Sequence, residues 1–262
     1  MEKQANRAFD ALGFLQLAGK RIMEYGGETF RVEETMQRMG CAFGLEDVES
    51  FAVPSGVFVS FRDEHGQVQS GVCRVRRKGT DLKKVDEVNR ISRMLVAGEI
   101  TKGEAYARLQ QIEREKPFPT GIPRLLAGGL CAGGFAVMFQ GGVQDAVLAF
   151  AVGFLVQLFS DFMDSRRMQS MVTILMGAFF SALVPTLVHD LIGGIHLEAT
   201  VAGTLMPMLP GLAMTNAVQD TVREDMVSSV SHFAQAVITA ALVAGGALLG
   251  SGLMRLLEGG SI

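Results

Sequence analysis

The chain has 262 residues, 24 Lys and Arg, 27 Asp and Glu, and 48% hydrophobic residues. Its formal net charge of −3 and the lack of a long basic cluster argue against a nucleic-acid partner. The charges are unevenly placed, because 20 of the 24 basic residues precede residue 125. A water-soluble core of the remaining size would need more surface charge, so the second half is predicted to lie in a lipid bilayer.

The first part, residues 1–118, is predicted to form a cytosolic α+β domain. Apolar spacing predicts helices over 6–24 and from Thr29 to Gly44, three strands, and two further helices. The strands are expected at 48–53, 57–61 and 68–75, and the later helices at 82–97 and 101–114. This order favours a small antiparallel sheet with helices packed on it. A linker over 119–124, marked by Pro117 and Pro119, leads into the membrane domain 125–262.

This domain carries no Walker loop, no Gly-x-Ser-x-Gly and no His-Glu-x-x-His, so no catalytic or cofactor-binding motif points to an enzyme. Charged residues at the start of the second helix allow two interpretations, a polar site or an exposed helix face stabilised by local ion pairs. The second is favoured for Glu28, Arg31, Glu33 and Glu34.

Other polar residues give no metal site. The three cysteines show no ligand spacing and predict reduced thiols, which favours the cytosol for the polar half. The first residues, MEKQANRAFDALG, lack the apolar core of a signal peptide, so insertion is expected to begin at internal segments. Four polar residues in the second half lack the tight pair of ligands that a metal site needs, and they are interpreted as surface residues. They are His189, Asp190, His196 and Glu198.

The second half is predicted to be an all-α, polytopic domain of about five transmembrane helices. The apolar segments are 125–142, 146–163, 171–188, 197–217 and 230–253, and the second and third are short enough to require tilt or local thinning of the bilayer. Basic residues flank alternate loops at Arg124, Arg166, Arg167 and Arg223. The positive-inside rule therefore predicts a cytoplasmic N-terminus and an external C-terminus.

Glycines recur in two of these segments at the spacing that lets helix backbones approach closely. Gly129 and Gly133 form one such pair, and Gly246 and Gly250 form the other. They predict ordinary close packing in a bundle or an oligomer.

The fourth segment contains Pro207 and Pro210, followed by Gly211. Two prolines three residues apart should interrupt the helix, and irregular backbone at membrane depth is tolerated only beside protein or a water-filled cavity. A helix that restarts there would direct N–H groups at a small carboxylate. Thr204 and Asn216 complete the predicted substrate site. The alternative is a proline kink that only shapes packing.

Three further residues are candidates for a coupling relay. Asp220 follows Asn216 on the same helix face. Gln157 and Asp161 fall on the inner half of the second span, where Asp161 shares a face with Asp164. Intramembrane acids are functional candidates by default. The alternatives are that Asp220 ends a helix in solvent and that Asp161 and Asp164 pair with Arg166 and Arg167.

Two stretches resemble one transporter family. YGGETFRVEETMQRMGCAFGL with VESFAVPSGVFVSF resembles the N-terminal signature of the threonine/serine exporter family, and MPMLPGLAMTNAVQD resembles its membrane signature. The resemblance implies a transporter of the inner membrane. With about five spans in place of about ten, the chain resembles the short branch, which works with a second, smaller membrane subunit and is linked to succinate export.

The resemblance implies export of a small carboxylate, either threonine and serine or a C4-dicarboxylate such as succinate. The odd span count predicts a partner subunit of inverted orientation, as in inverted-repeat transporters, and ion or proton coupling is expected. Two other functions stay open from the residues alone. A membrane-tethered hydrolase predicts activity in the soluble domain, and a sensor or scaffold predicts no solute flux.

Overall fold

A computed structural model of the chain describes residues 10–76, 79–114 and 120–258. The predicted linker prolines, Pro117 and Pro119, lie outside these residues. The chain forms two compact units. The first, here called the N-terminal unit, contains the described part of residues 1–117 together with Met214–Phe233. The second, the helical unit, contains residues 120–213 and 234–258.

The N-terminal unit begins with two helices and a three-stranded antiparallel sheet. Helix α1 spans Ala11–Glu24 and α2 spans Thr29–Ala42. The strands follow in the order β1-β2-β3, at Glu46–Val53, Gly56–Arg62 and Val68–Arg74. Helices α3 and α4 span Leu82–Val96 and Lys102–Arg114. Each predicted helix and strand of this region is therefore present within a few residues of its predicted bounds, although residues 6–9 of the first predicted helix lie outside the described residues.

Local chemistry explains where these elements begin and end. Asp10 caps α1 by accepting a hydrogen bond from Gly13 N at 2.8 Å, and Asp81 caps α3 by accepting one from Lys84 N at 3.2 Å. Gly26, with a φ of 83°, follows α1 in a conformation that favours glycine. These caps turn the chain so that α1 packs against α2, α3 and the sheet.

One apolar core holds this part of the unit together. The inward face of β2 alternates Val57, Val59 and Phe61, all buried, as the two-residue period of a strand requires. They pack with buried apolar side chains of the four helices. The largest of these are Phe14, Leu15, Ile22, Met36, Met39, Ile91 and Leu109.

The helical unit is built from long apolar helices. Helix α5 spans Ile122–Met138, α6 Val143–Ser165, α7 Ser170–Ile192 and α8 Leu197–Leu205. After a break, α9 spans Gly211–Val222 and α10 spans Met226–Glu258, and both contribute residues to each unit. The second and third predicted spans are helices of 23 residues. The expectation that they are short was wrong, because the helices continue through polar end residues such as Asp145 and Ser165.

Among the described residues, three helices are long and apolar enough to cross a membrane, namely α6, α7 and α10 up to Met254. The segments Leu197–Met208 and Gly211–Val222 pass the same test together as a bent pair, which raises the number to four. Helix α5 is apolar but has only 17 residues. Several apolar helices and a small sheet are thus present as predicted, and the count of five spans stays a prediction.

Glycines allow the close helix packing that their spacing predicts. A Cβ added at Gly129 would lie 2.8 Å from Phe150 O, and one at Gly133 would lie 2.9 Å from Ala146 O, so both glycines face α6. Gly246 and Gly250 face α7 in the same way, against the carbonyl oxygens of Leu175 and Phe179. Backbones at these distances leave no room for a larger side chain.

Candidate functional site

The predicted break in the fourth apolar segment is present. Helix α8 gives way to a 3₁₀ turn over Met206–Met208, and Leu209 is extended with a ψ of 143° before α9 begins at Gly211. Pro207 and Pro210 lack the N–H groups that would continue the helix, so the break follows from their covalent structure.

A cavity of about 280 Å³ lies at this break within the helical unit. Four helices and the 3₁₀ turn contribute to its wall, which combines small, apolar and neutral polar side chains. The lining residues are Gly128, Gly153, Val156, Gln157, Ser160, Thr173, Ile174, Gly177, Thr204, Pro207 and Met208. A void of this size accommodates a solute of a few heavy atoms rather than a drug-sized molecule.

Three predicted site residues border this cavity: Gln157, Thr204 and Pro207. Two others, Pro210 and Gly211, are not among the residues that line it. A Cβ added at Gly211 would meet no other atom within 4 Å, and Gly211 N donates to Leu209 O at 2.9 Å. The predicted substrate-site residues of the helical unit therefore divide between the cavity wall, with Thr204 and Pro207, and the start of α9, with Pro210 and Gly211.

Thr204 has a structural partner in addition to its place in the wall. Pro185 lies inside α7, and a proline at this position cannot donate to the carbonyl four residues earlier, Ser181 O. Thr204 Oγ1 donates to Ser181 O at 2.9 Å and also lies 2.9 Å from Val201 O in its own helix. The hydroxyl thus satisfies the carbonyl that Pro185 leaves without its helical donor.

A charged pair lies one hydrogen bond away from the cavity wall. Gln157 Nε2 donates to Asp161 Oδ1 at 2.9 Å, and Arg124 Nε lies 3.3 Å from the same oxygen. Asp161 thus pairs with Arg124, and not with Arg166 or Arg167 as the alternative interpretation had it. The pair is partly exposed and adds no net charge to the site.

Asn216 and Asp220 belong to the N-terminal unit. Both are buried, and only 1% of Asp220 is exposed. Thr29 Oγ1 donates to Asp220 Oδ1 at 2.7 Å, and His232 Nδ1 lies 2.8 Å from Asp220 Oδ2. The alternative of a solvated helix end is therefore wrong for Asp220.

Glu33 lies near the same cluster. Its Oε1 accepts a hydrogen bond from Ala52 N at 2.9 Å. Burial raises the pKa of Glu33, the carboxylates of Asp225 and Asp220 raise it further, and the bond from Ala52 N opposes this shift. Glu33 is therefore more than part of an exposed charged face, whereas Glu28 and Glu34 do form the expected local pairs with Arg31 and Arg38.

His196 and Asp145 tie two loops of the helical unit together. Asp145 Oδ2 accepts a hydrogen bond from Gly142 N at 2.6 Å and lies 2.8 Å from His196 Nδ1. Asp145 Oδ1 accepts a hydrogen bond from His196 N at 2.7 Å. In the described part of the chain, no group of three or more His, Cys, Asp or Glu residues is arranged to hold a metal. The His196 side chain has a structural partner at the beginning of α6.

Sequence reasoning missed three residues of these sites: His232, Thr29 and Pro185. His232 is a polar residue inside an apolar segment, a signal that was available, and Pro185 could have been found in the same way. Thr29 gave no such signal, because an isolated threonine at the start of a helix usually acts as a local cap. Its partner, Asp220, lies 191 residues further along the chain.

Long apolar helices, one of them broken beside a small polar-lined cavity, are typical of membrane transport proteins. The family comparison gives the class more closely: the chain belongs to the putative threonine/serine exporter family, whose profile matches residues 14–254. This membership confirms the predicted transporter class, as opposed to an enzyme. Together with the apolar helices, it makes the chain a multi-pass protein of the bacterial inner membrane.

Individual relatives are similar at low identity. The threonine/serine exporter of Corynebacterium glutamicum is 25% identical over 189 residues, which cover 70% of this chain and 38% of that protein. The probable succinate transporter subunit YjjP of Escherichia coli is 23% identical over 217 residues, covering 82% and 84%. The pheromone-regulated membrane protein 10 of Debaryomyces hansenii is 26% identical over 259 residues, covering 95% and 25%. No solved structure matches the chain significantly.

Proposed function

We propose that this chain is a subunit of a secondary transporter that exports a small carboxylate metabolite, with its solute site in the cavity beside the broken helix. The observation that carries this proposal is the coincidence of an interrupted membrane helix, a cavity of about 280 Å³ and a wall with several neutral hydrogen-bonding side chains. A helix is interrupted at membrane depth where backbone groups serve a ligand or a water-filled space.

The carboxylate would be bound by donors from the wall and from the restarted helix. Gln157, Ser160 and Thr173 offer amide and hydroxyl groups. The start of α9 at Gly211 offers the positive end of a helix dipole. Asn216 lies further along the same helix as a polar residue of the export pathway.

Two solute classes are in question. The only charged pair beside the wall in the described residues, Arg124 with Asp161, has no net charge, which favours a zwitterion such as threonine or serine. A dianion without a compensating cation would be expensive at membrane depth. The relative named as a succinate transporter subunit, of which the chain covers 84%, supports a dicarboxylate as the second candidate.

An ion or proton gradient would drive export, with Asp161 and Asp220 as the coupling residues. Asp161 is connected to the cavity wall by its hydrogen bond from Gln157. The name "subunit" of the Escherichia coli relative supports a second, smaller membrane subunit as partner, within a hetero-oligomer. The distribution of Arg residues supports a cytoplasmic N-terminus and an external C-terminus.

The test is excretion of threonine, serine and succinate by host cells that lack the gene and carry a plasmid copy. Gly128→Leu would fill the cavity, since even a Cβ at this position lies 3.0 Å from Gln157 Cβ. We expect excretion to fall at least about tenfold, the equivalent of about 1.4 kcal/mol. Gly134→Leu on the same helix is the matched control, because an added Cβ there meets nothing within 4 Å.

Both variants must reach the membrane in equal amounts. Normal excretion by Gly128→Leu would contradict the placement of the solute site. If the unmodified gene restored excretion of none of the three solutes, the proposed solute class would be wrong.

A further inference from the structure

A buried polar cluster in the N-terminal unit joins two distant parts of the sequence. Thr29 Oγ1 of α2 donates to Asp220 Oδ1 of α9 at 2.7 Å. His232 Nδ1 of α10 lies 2.8 Å from the other carboxylate oxygen, Oδ2. All three side chains are at least nine-tenths buried. Burying an ionisable group costs free energy unless it has hydrogen-bonding partners. Each ionisable group of this cluster has such a partner, so the cluster is a specific feature of the fold.

Further contacts hold α9, α10 and the N-terminal elements in place around it. Ser228 Oγ on α10 donates to Ala52 O of β1 at 3.0 Å, and the Arg223 guanidinium carbon lies 3.5 Å from the centre of the Phe30 ring. Asp225 caps the start of α10, since its Oδ1 accepts from Ser228 N at 3.2 Å. The residues that bond Asp220 are therefore held by the fold around them.

The order of the three groups limits what they can do chemically. In a nucleophilic triad the histidine stands between the hydroxyl and the carboxylate. Here the carboxylate stands between Thr29 and His232. The cluster therefore places no histidine base beside the threonine hydroxyl, and its two ionisable groups, Asp220 and His232, face each other.

We propose that Thr29 and His232 are positioning residues for Asp220, so that helix α2 forms part of the proton-coupling site of the transporter. This inference rests on the proposed function, in which Asp220 carries a coupling proton. The ionised carboxylate accepts from the Thr29 hydroxyl and from His232 Nδ1–H together. A proton on Asp220 converts one oxygen into a donor, which removes one acceptor and weakens the attachment of α9 to α2 or to α10.

Charged groups from each element of the cluster act on this equilibrium. Glu33 on α2 and Asp225 at the start of α10 add negative charge, and Arg223 adds a positive charge above Phe30. Glu28 and Arg31 at the start of α2 pair with each other at 2.9 Å.

The test compares Thr29→Val with Thr29→Ser in the full chain. Valine removes a hydrogen bond to the ionised carboxylate, so the acid limb of the pH profile of export should move to higher pH by about one unit, a tenfold change in proton affinity. Thr29→Ser should restore the profile of the unmodified chain. Thr35→Val is the matched control, since Thr35 is a buried threonine on the same helix that bonds Asn89 at 3.2 Å.

A second readout does not depend on transport. The protection of residues 214–233 against hydrogen exchange, corrected for the intrinsic pH dependence of exchange, should fall on acidification in the purified full-length protein, and Thr29→Val should move this transition to higher pH. Unchanged pH profiles and exchange transitions in Thr29→Val and in His232→Gln would overturn the inference. If export were absent but the exchange transition moved as expected, the proton cluster would stand and the proposed transport function would fail.

Discussion

At the scale of single residues, the environment of a carboxylate matters more than its position in the sequence pattern. Glu33 and Glu34 are neighbours on α2, but Glu33 is half-buried against Ala52 N, whereas Glu34 is exposed and pairs with Arg38 at 2.6 Å. Helical spacing alone could not separate them, because the difference arises from β1 and from the segment 214–233.

This contrast predicts a pH-dependent effect of Glu33→Gln. The pKa of Glu33 is raised in the folded state, so its ionised form destabilises the fold. The stabilising contribution of Glu33 to the folded state is complete below the unfolded-state pKa of about 4.5. It is lost as the pH rises through the higher folded-state pKa. Glutamine keeps an acceptor for Ala52 N without the charge, so the variant should unfold at a higher temperature near pH 7.

Thermal unfolding of the detergent-solubilised chain, followed by circular dichroism at pH 4 and pH 7, checks this prediction. The gain of Glu33→Gln should disappear at the lower pH. Glu34→Gln is the control and should change stability by no more than about 0.5 kcal/mol at either pH. A variant that is less stable than the unmodified chain at pH 7 would contradict the assignment of the charge as unfavourable.

At the scale of secondary-structure elements, two prolines that look alike in the sequence have different consequences. Pro210 coincides with a helix break, whereas α7 continues through Pro185. The difference is that Thr204 of α8 donates to Ser181 O, the carbonyl that Pro185 cannot serve. A neighbouring hydroxyl can maintain a proline-containing membrane helix in this way.

This explanation predicts that Thr204→Val and Pro185→Ala are coupled. Thr204→Val alone should cost about 1–3 kcal/mol, because it leaves a buried carbonyl without its donor. In a Pro185→Ala background the cost should be smaller, because the new N–H of residue 185 can donate to Ser181 O. A double-mutant cycle on the unfolding free energy measures the coupling, and strictly additive effects would contradict the explanation.

At the scale of the whole molecule, features that depend on residues close in sequence can be predicted, whereas contacts between residues far apart in sequence cannot. The elements of the α+β part, the break at Pro207 and Pro210, and the close approach at Gly129 and Gly133 all depend on neighbouring residues, and all were predictable. The bond between Thr29 and Asp220 spans 191 residues, so no periodicity could reveal it. The cavity wall likewise depends on the packing of four helices.

The division into units also shows what hydropathy does not reveal. The segment Met214–Phe233, which contains the end of one apolar stretch and the beginning of the next, folds with the N-terminal elements. Thr29 and Ala52 both lie in stretches that carry the resemblance to the exporter family, and their partners Asp220 and Ser228 lie in this segment. The two family signatures therefore meet in one cluster.

The central claim is that the cavity beside the broken helix binds the exported solute. The most direct test is protection of a cysteine placed in its wall, Ser160→Cys, in a chain whose Cys41, Cys73 and Cys131 are replaced by serine. The account predicts that threonine, serine or succinate slows maleimide labelling of this cysteine. The same solutes should not affect Leu130→Cys, an exposed position on α5. Equal labelling of Ser160→Cys with and without all three solutes would contradict the claim.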